Sequence, residues 1–207
     1  EDFGTALTDA TGRQLCECKM STPLQSGPIP GYVRGVLKQL AERGETIEPG
    51  DVIMHNDPYG GASHGPDVGF LVPVFLDGTL IGFSVTTAHH LDIGALTPGS
   101  TGIVNAVDTY AEGLQFKAIK VYDRGKRNDA VWSILRDNIR ASALVVGVME
   151  AQGRTAEFGA ERVLALVTQY GLKTPSRRCP MASTRPRPSS TDASPMPIRR
   201  TATYPSL

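Results

Sequence analysis

Apolar residues at Val33, Val36, Leu37 and Leu40 recur at i, i+3, i+4 and i+7, which lays one stripe along a helix. The helix this predicts begins near Pro28 and Pro30 and stops at Gly44. A period of two takes over in "VGFLVPVFLDGTLIGFSVTTAHH", where two β-rich runs flank Asp77-Gly78. That dipeptide predicts a two-residue hairpin, because the favoured turn needs positive φ at both central positions. With Leu76 opposite Thr79 and an unbroken ladder, Pro66 falls opposite His89 and His64 opposite Leu91. Pro73 has no N–H to give, so its strand is expected to be an edge or to bulge there.

The rest of the chain reads in the same way. "FGTALTDATGRQLCECK" predicts two short strands around a turn at Asp9 to Gly12, with Cys16 and Cys18 on one sheet face. Val52, Ile53 and Met54 make a short buried strand, and Phe116, Ile119 and Val121 mark another. Asn128 can cap a helix running to about Ile139, with Val131, Ile134, Leu135 and Asn138 along one face. A further helical stretch runs from about Leu144 to Tyr170, supported by Val163, Leu164, Leu166 and Val167 and stopped by Gly171. Gly147, Gly153 and Gly159 leave open whether it is one helix or two. The fold class expected is α+β: a sheet rich in β-hairpin, packed with helices, over residues 1–174. Residues 175–207 are dominated by Pro, Ser, Thr and Arg and are expected to be disordered, since they cannot bury enough surface to offset their ordering entropy.

Composition adds limits. The 207 residues are 40% hydrophobic, enough for a proper core. The formal net charge of zero hides an asymmetry: the tail from Pro175 holds six arginines and one acid, Asp192, so it carries +5 and the body −5. An acidic body argues against nucleic acid as a partner, which needs clustered Lys and Arg on the folded surface. No apolar run approaches the roughly 20 residues of a membrane span, so no membrane is expected. Three cysteines, Cys16, Cys18 and Cys179, do not make a disulfide framework, and a reducing, cytoplasmic setting is the simplest expectation. The chain begins at Glu1 and not at Met, which points to a missing natural N-terminus.

The chemistry gathers at the open end of the hairpin. All four histidines, His55, His64, His89 and His90, fall in "HNDPYGGASHGPD" and "TTAHHLDIGA". Residues opposite one another on such a ladder have Cβ atoms about 4.5–5.5 Å apart, close enough to share an ion. Imidazole with carboxylate is a ligand set for catalytic zinc, manganese or iron, whereas structural zinc prefers thiolates. His64, Asp67 and His89 would supply three ligands and leave a position for water. Asp92 and Asp57 are candidates to hold an imidazole N–H or to take a proton from that water. His55, directly after a strand, reads as structural. In the unbroken register His64 shares a face with His89 and Asp67 with His90; Gly65-Pro66 breaks the ladder nearby, so parity does not choose between the adjacent histidines. No phosphate-binding loop, G-x-G-x-x-G turn, G-x-S-x-G elbow or Cys-His pair appears, so nucleotide chemistry would come from another subunit.

"GDVIMHNDPYGGASHGPDV", "PVFLDGTLIGF", "TTAHHLDIGALTPGS", "YAEGLQF" and "KVYDRGKRN", in this order, resemble the hydantoinase B/oxoprolinase family from about Asp2 to Thr174. That family includes the B-type component of ATP-dependent N-methylhydantoinase, the corresponding half of 5-oxoprolinase and a subunit of acetone carboxylase. The resemblance implies a metal-bearing subunit of a hetero-oligomer, working with a hydantoinase A-type partner that uses ATP to phosphorylate the carbonyl oxygen of a small cyclic amide or ketone. Metal-activated water then opens the ring in the amide-cleaving members. It also implies His64, Asp67 and His89 as the ligands, and Asp2 as a further ligand or the base that deprotonates water. The spellings "TPLQSG" and "HNDPY" look more like the carboxylase-type branch, which makes ketone carboxylation the alternative activity. Family members continue well beyond "VTQYG", whereas here an Arg-Pro-Ser tail follows. Out-of-frame translation of a GC-rich gene yields such a composition, so a frameshifted fragment is expected, and with it a non-catalytic remnant as a third reading. Reading the nucleotides in the other frames tests this; absence of the family's continuation there would refute it.

Overall fold

The hairpin dominates the molecule. In the computed structural model, which describes residues 2–99 and 107–171, it is formed by β4 (Asp67–Leu76) and β5 (Thr79–His89). Its turn has Asp77 at φ 48° and Gly78 at φ 76°, the positive pair that the dipeptide predicts. Around it an antiparallel seven-stranded sheet runs in the order β2-β1-β5-β4-β3-β6-β7. The remaining strands are β1 (Phe3–Asp9), β2 (Gln14–Glu17), β3 (Val52–His55), β6 (Ile119–Asp123) and β7 (Lys126–Arg127). Among the described residues four α-helices complete the α+β fold: α1 (Pro23–Ser26), α2 (Ile29–Glu42), α3 (Asp129–Asn138) and α4 (Ser142–Tyr170). Expectations for residues 172–207, including the boundary at 174 and the tail, lie outside the described residues.

Strand alternation sorts side chains onto two faces, each covered by helix. Val52, Met54, Val68, Phe70 and Val72 pack under α3 and α4 with Trp132, Leu135, Val145 and Met149. Ile53, Leu71, Phe83 and Val85 pack under α2 with Ile29, Val33, Val36 and Leu40. Each fully buried side chain of this size stabilises the fold by about 1.5–3 kcal/mol relative to exposure.

Two local expectations need correction, and one left open is decided. The hairpin ladder is not unbroken: Phe75 pairs with Leu80 but Val74 pairs with Gly82, so Ile81 is an extra residue on β5. The register therefore slips by one, and Asp67, not Pro66, lies opposite His89. The bulge sits one pair beyond Pro73, and β4 is an interior strand, not an edge. In α3 the buried stripe is Trp132, Leu135 and Ile139, while Ile134 is 55% exposed; the large indole faces the core under the Arg127 guanidinium and turns the helix by one position. Finally, α4 is one helix, and its buried residues come from its first half, Val145 to Ala156, whereas Leu164 and Leu166 are exposed. Two of its three glycines have a packing role: a Cβ at Gly159 would stand 2.3 Å from Ser84 Oγ, and one at Gly153 would rest on Phe70, whereas Gly147 faces open space. Among the described residues no helix is long and apolar enough to cross a membrane.

Candidate metal centre

The slipped register brings the chemistry together. β4 begins at Asp67 and β5 ends at His89, paired directly, with both side chains on the α2 face. His64 arrives through a turn closed by the Asp67 N–H donating to the His64 carbonyl at 3.1 Å. The peptide groups of Gly65 are gripped from both sides: its N–H donates to Glu112 Oε2 at 3.0 Å, and its carbonyl accepts from Asn56 Nδ2 at 2.6 Å. Asn56 is fully buried and also donates to the Leu114 carbonyl and accepts the Phe116 N–H. A Cβ at Gly65 would stand 3.0 Å from Glu112 Oε2 and 3.2 Å from its Cβ, so Glu112 would have to give way by a few tenths of an ångström.

His64 Nε2 and His89 Nδ1 both lie 2.9 Å from Asp67 Oδ1 and 3.3 Å from each other. The two rings stack with centroids 5.1 Å apart. Three donors held tetrahedrally about 2.0–2.1 Å from a zinc ion would be about 3.3 Å apart, so these atoms need only a small expansion to surround a cation. The Asp67 side chain is fully buried beneath the imidazoles, which are 25% and 24% exposed and form an open rim. Its other oxygen, Oδ2, accepts from Ser63 Oγ at 2.6 Å, and Tyr32 OH donates to its main-chain carbonyl at 2.7 Å. Burial works to raise the Asp67 pKa, but bonds from His64, Ser63 and His89 outweigh it and hold the carboxyl down at about 2. The bond to Asp67 in turn raises the pKa of His64, against the effect of burial.

The other anticipated residues fall in different places. Asp2 is beside the triad: its carbonyl accepts the His89 N–H at 3.1 Å, and its charge acts on His64. Its carboxylate accepts from Thr22 Oγ1 and, at 3.4 Å, from Gln25 Nε2. Asp92 bonds instead to the Gly94 N–H and to the main chain and guanidinium of Arg140, at 2.9–3.0 Å. Burial opposes its charge, but these donors prevail and lower its pKa. Asp57 caps the 3-10 turn Pro58–Gly60 and accepts from Gln39, with Lys117 at 3.7 Å. His55 is buried and structural: Nδ1 accepts the Ala118 N–H and Nε2 donates to the Gly60 carbonyl, and burial lowers its pKa. His90 points to the other face, buried against Gln152 on α4 with its Nε2 3.0 Å from Gln152 Oε1; burial lowers its pKa to about 4. Of the two adjacent histidines, His89 joins the triad. Sequence reasoning missed Ser63, Tyr32, Glu112, Asn56 and Gln152. Ser63, four residues before Asp67, and Asn56, beside His55, stood within the histidine-rich loop; the others are remote in sequence and gave no signal.

A cavity of about 550 Å³ adjoins His89 and Asp2, walled largely by apolar side chains that include Phe3, Val145 and Val148.

The family model described as Hydantoinase B/oxoprolinase matches residues 1–180. A Pseudomonas sp. (strain NS671) protein, provisionally named as the B-type component of a D-/L-hydantoinase, is 66% identical over 174 residues, covering 84% of this chain and 29% of that protein. The crystal structure of ATP-dependent caprolactamase from Pseudomonas jessenii superposes with a TM-score of 0.70 at 29% identity, covering 83% of this chain and 29% of that one. Nucleotide-free acetone carboxylase shares the fold, with a TM-score of 0.69 at 23% identity over 83% of this chain and 22% of that one. The chain thus spans about three-tenths of the length of the first two of these relatives. With the motifs in order, the family model over most of its length and the same fold in solved relatives, this chain belongs to the hydantoinase B/oxoprolinase family.

Proposed function

We propose that the chain is the cation-binding part of a subunit of an ATP-dependent cyclic amide hydrolase of hydantoinase or 5-oxoprolinase type. The observation that carries this reading is the convergence of His64 Nε2 and His89 Nδ1 on Asp67 Oδ1 in a chain of this family. Two imidazoles and one carboxylate suit zinc, manganese or iron. A divalent cation held there would supply Lewis acidity, polarising an amide carbonyl and lowering the pKa of water toward neutrality. The chain's own groups do the rest. Ser63 keeps Asp67 Oδ2 engaged, so Oδ1 is the oxygen offered to the cation. Burial of Asp67 below the two imidazoles keeps water from its charge, while the exposed sides of the rings admit substrate. Asp2, adjacent to His89 and felt by His64, is assigned as the acceptor of the proton released by attacking water. Asp57 and Asp92 are assigned to shaping the surrounding loops through the bonds described above.

The relatives' names, a hydantoinase component of B type and an ATP-dependent caprolactamase, support a hetero-oligomer in which a hydantoinase A-type partner carries out the ATP step. The 66% identity to the former favours amide cleavage over ketone carboxylation. Co-expression with an A-type partner tests this: ATP hydrolysis that depends on a hydantoin or 5-oxoproline is expected. Turnover that needs a ketone and bicarbonate instead would move the assignment to the carboxylase type, and absence of both association and turnover would favour a non-catalytic remnant.

A further inference from the structure

Each member of the triad is followed in the chain by a residue that a buried side-chain amide holds. Asn56 binds the carbonyl of Gly65, after His64. Gln152, from the middle of α4, binds the other two. Its Nε2 donates to the carbonyl of Val68, after Asp67, at 2.8 Å, and its Oε1 lies 3.0 Å from Nε2 of His90, after His89. The second amide hydrogen goes to the Thr86 carbonyl on β5 at 3.2 Å, and Thr86 Oγ1 returns a bond to the Gln152 carbonyl. One side chain therefore ties β4, β5 and α4 together immediately behind the paired Asp67 and His89. It does so from the opposite face of the sheet, beside Val145, Met149 and Ala156. Both amide hydrogens and the carbonyl oxygen are used. The His90 main-chain N–H donates to the Pro66 carbonyl at 2.9 Å, so the residue whose ring Gln152 anchors also holds the end of the turn that carries His64.

We propose that Gln152 is a positioning residue for the cation site, setting the spacing of Asp67 Oδ1 and His89 Nδ1 without touching either. The inference rests on the cation-binding reading given above. It makes the last strand pairs before the site a rigid base, where an apolar residue at position 152 would leave two strand carbonyls and a buried imidazole without their partner.

The test is cobalt(II) binding to the full chain, followed by affinity and by the visible spectrum of the bound ion, with circular dichroism and Tm measured in parallel. Gln152→Met preserves length and apolar packing but loses every bond. Gln152→Glu keeps the acceptor for His90 and loses both donors. The expected result is a folded Gln152→Met protein with about 10- to 100-fold weaker cobalt(II) binding and an altered spectrum, the range found for groups that orient metal ligands. Gln152→Glu should fall between it and the unaltered chain. A merely structural role would lower Tm and leave the affinity and spectrum of the folded protein unchanged, and that result would overturn the proposal. Should Gln152→Met fail to fold, the same comparison on Gln152→Glu decides. Failure of the unaltered chain to take cobalt(II) would instead sink the cation reading itself, and the proposal with it.

Discussion

A cation at the proposed site would compete with a proton for His64. The neighbouring Asp67 raises its pKa above the usual 6.5. A cation needs the neutral ring, so below that pKa loading has to displace a proton. Affinity should therefore climb as pH rises through that raised pKa and level off above it, with proton release on loading over the same window. Metal-free protein should behave oppositely: a folded-state pKa above the unfolded one contributes stability that is full below about 6.5 and lost as pH rises through the folded value. Titration calorimetry in buffers of different ionisation enthalpy, beside urea melts of stripped protein, checks both signs. Ser63→Ala should destabilise metal-free protein by about 1.5–3 kcal/mol, because a charged, buried oxygen of Asp67 loses its donor; equal urea midpoints would contradict this. At this scale the sequence announced the ligand types, since all four histidines and their acids crowd two short segments. It could not announce Ser63 as the group that leaves Oδ1 available, or Gln152 and Tyr32, whose contacts lie 84 and 35 positions away.

At the scale of elements, the pairing across the hairpin decides the site. Ile81 bulges from β5 and turns a register that would place Pro66 opposite His89 into one that places Asp67 there. Deleting Ile81 makes Gly82 follow Leu80, so the ladder becomes regular with Asp67 still opposite His89, and cation binding should survive; loss of binding in a folded variant would show that pairing alone does not set the geometry. The hairpin itself was plain from Asp77-Gly78. The bulge was not, because Gly82 has a reason outside the hairpin: a Cβ there would stand 2.1 Å from the Thr8 carbonyl on β1. The α4 glycines make a paired test. Gly159→Ala drives a methyl against Ser84 and should destabilise by about 1–3 kcal/mol, less what helix propensity returns. Gly147→Ala meets nothing within 4 Å and should stabilise by about 0.5–1 kcal/mol. Thermal melts of both decide, and equal effects would contradict the packing account. The continuity of α4 was hidden in the sequence for the same reason: a glycine chosen to bring helix and sheet close looks, in isolation, like a break.

At the scale of the molecule, helices on both faces leave the strand ends as the place where buried charge can meet solvent. The sheet carries Asp67 in its interior, α2 and the loops cover it through Tyr32 and Ser63, and two imidazoles close over it. Alternation and the turn signals sufficed for the α+β class and for the hairpin; strand order and which face each helix covers depend on long-range pairing that no local period encodes. Every proposed role at the strand ends requires that His64, Asp67 and His89 together bind a divalent cation. The most direct measurement is elemental analysis of purified chain, stripped and reloaded, beside His64→Ala and His89→Ala. Close to one ion per chain is expected, lost in both variants with the fold intact. A folded chain that takes up no ion, or variants that retain it in full, would contradict this.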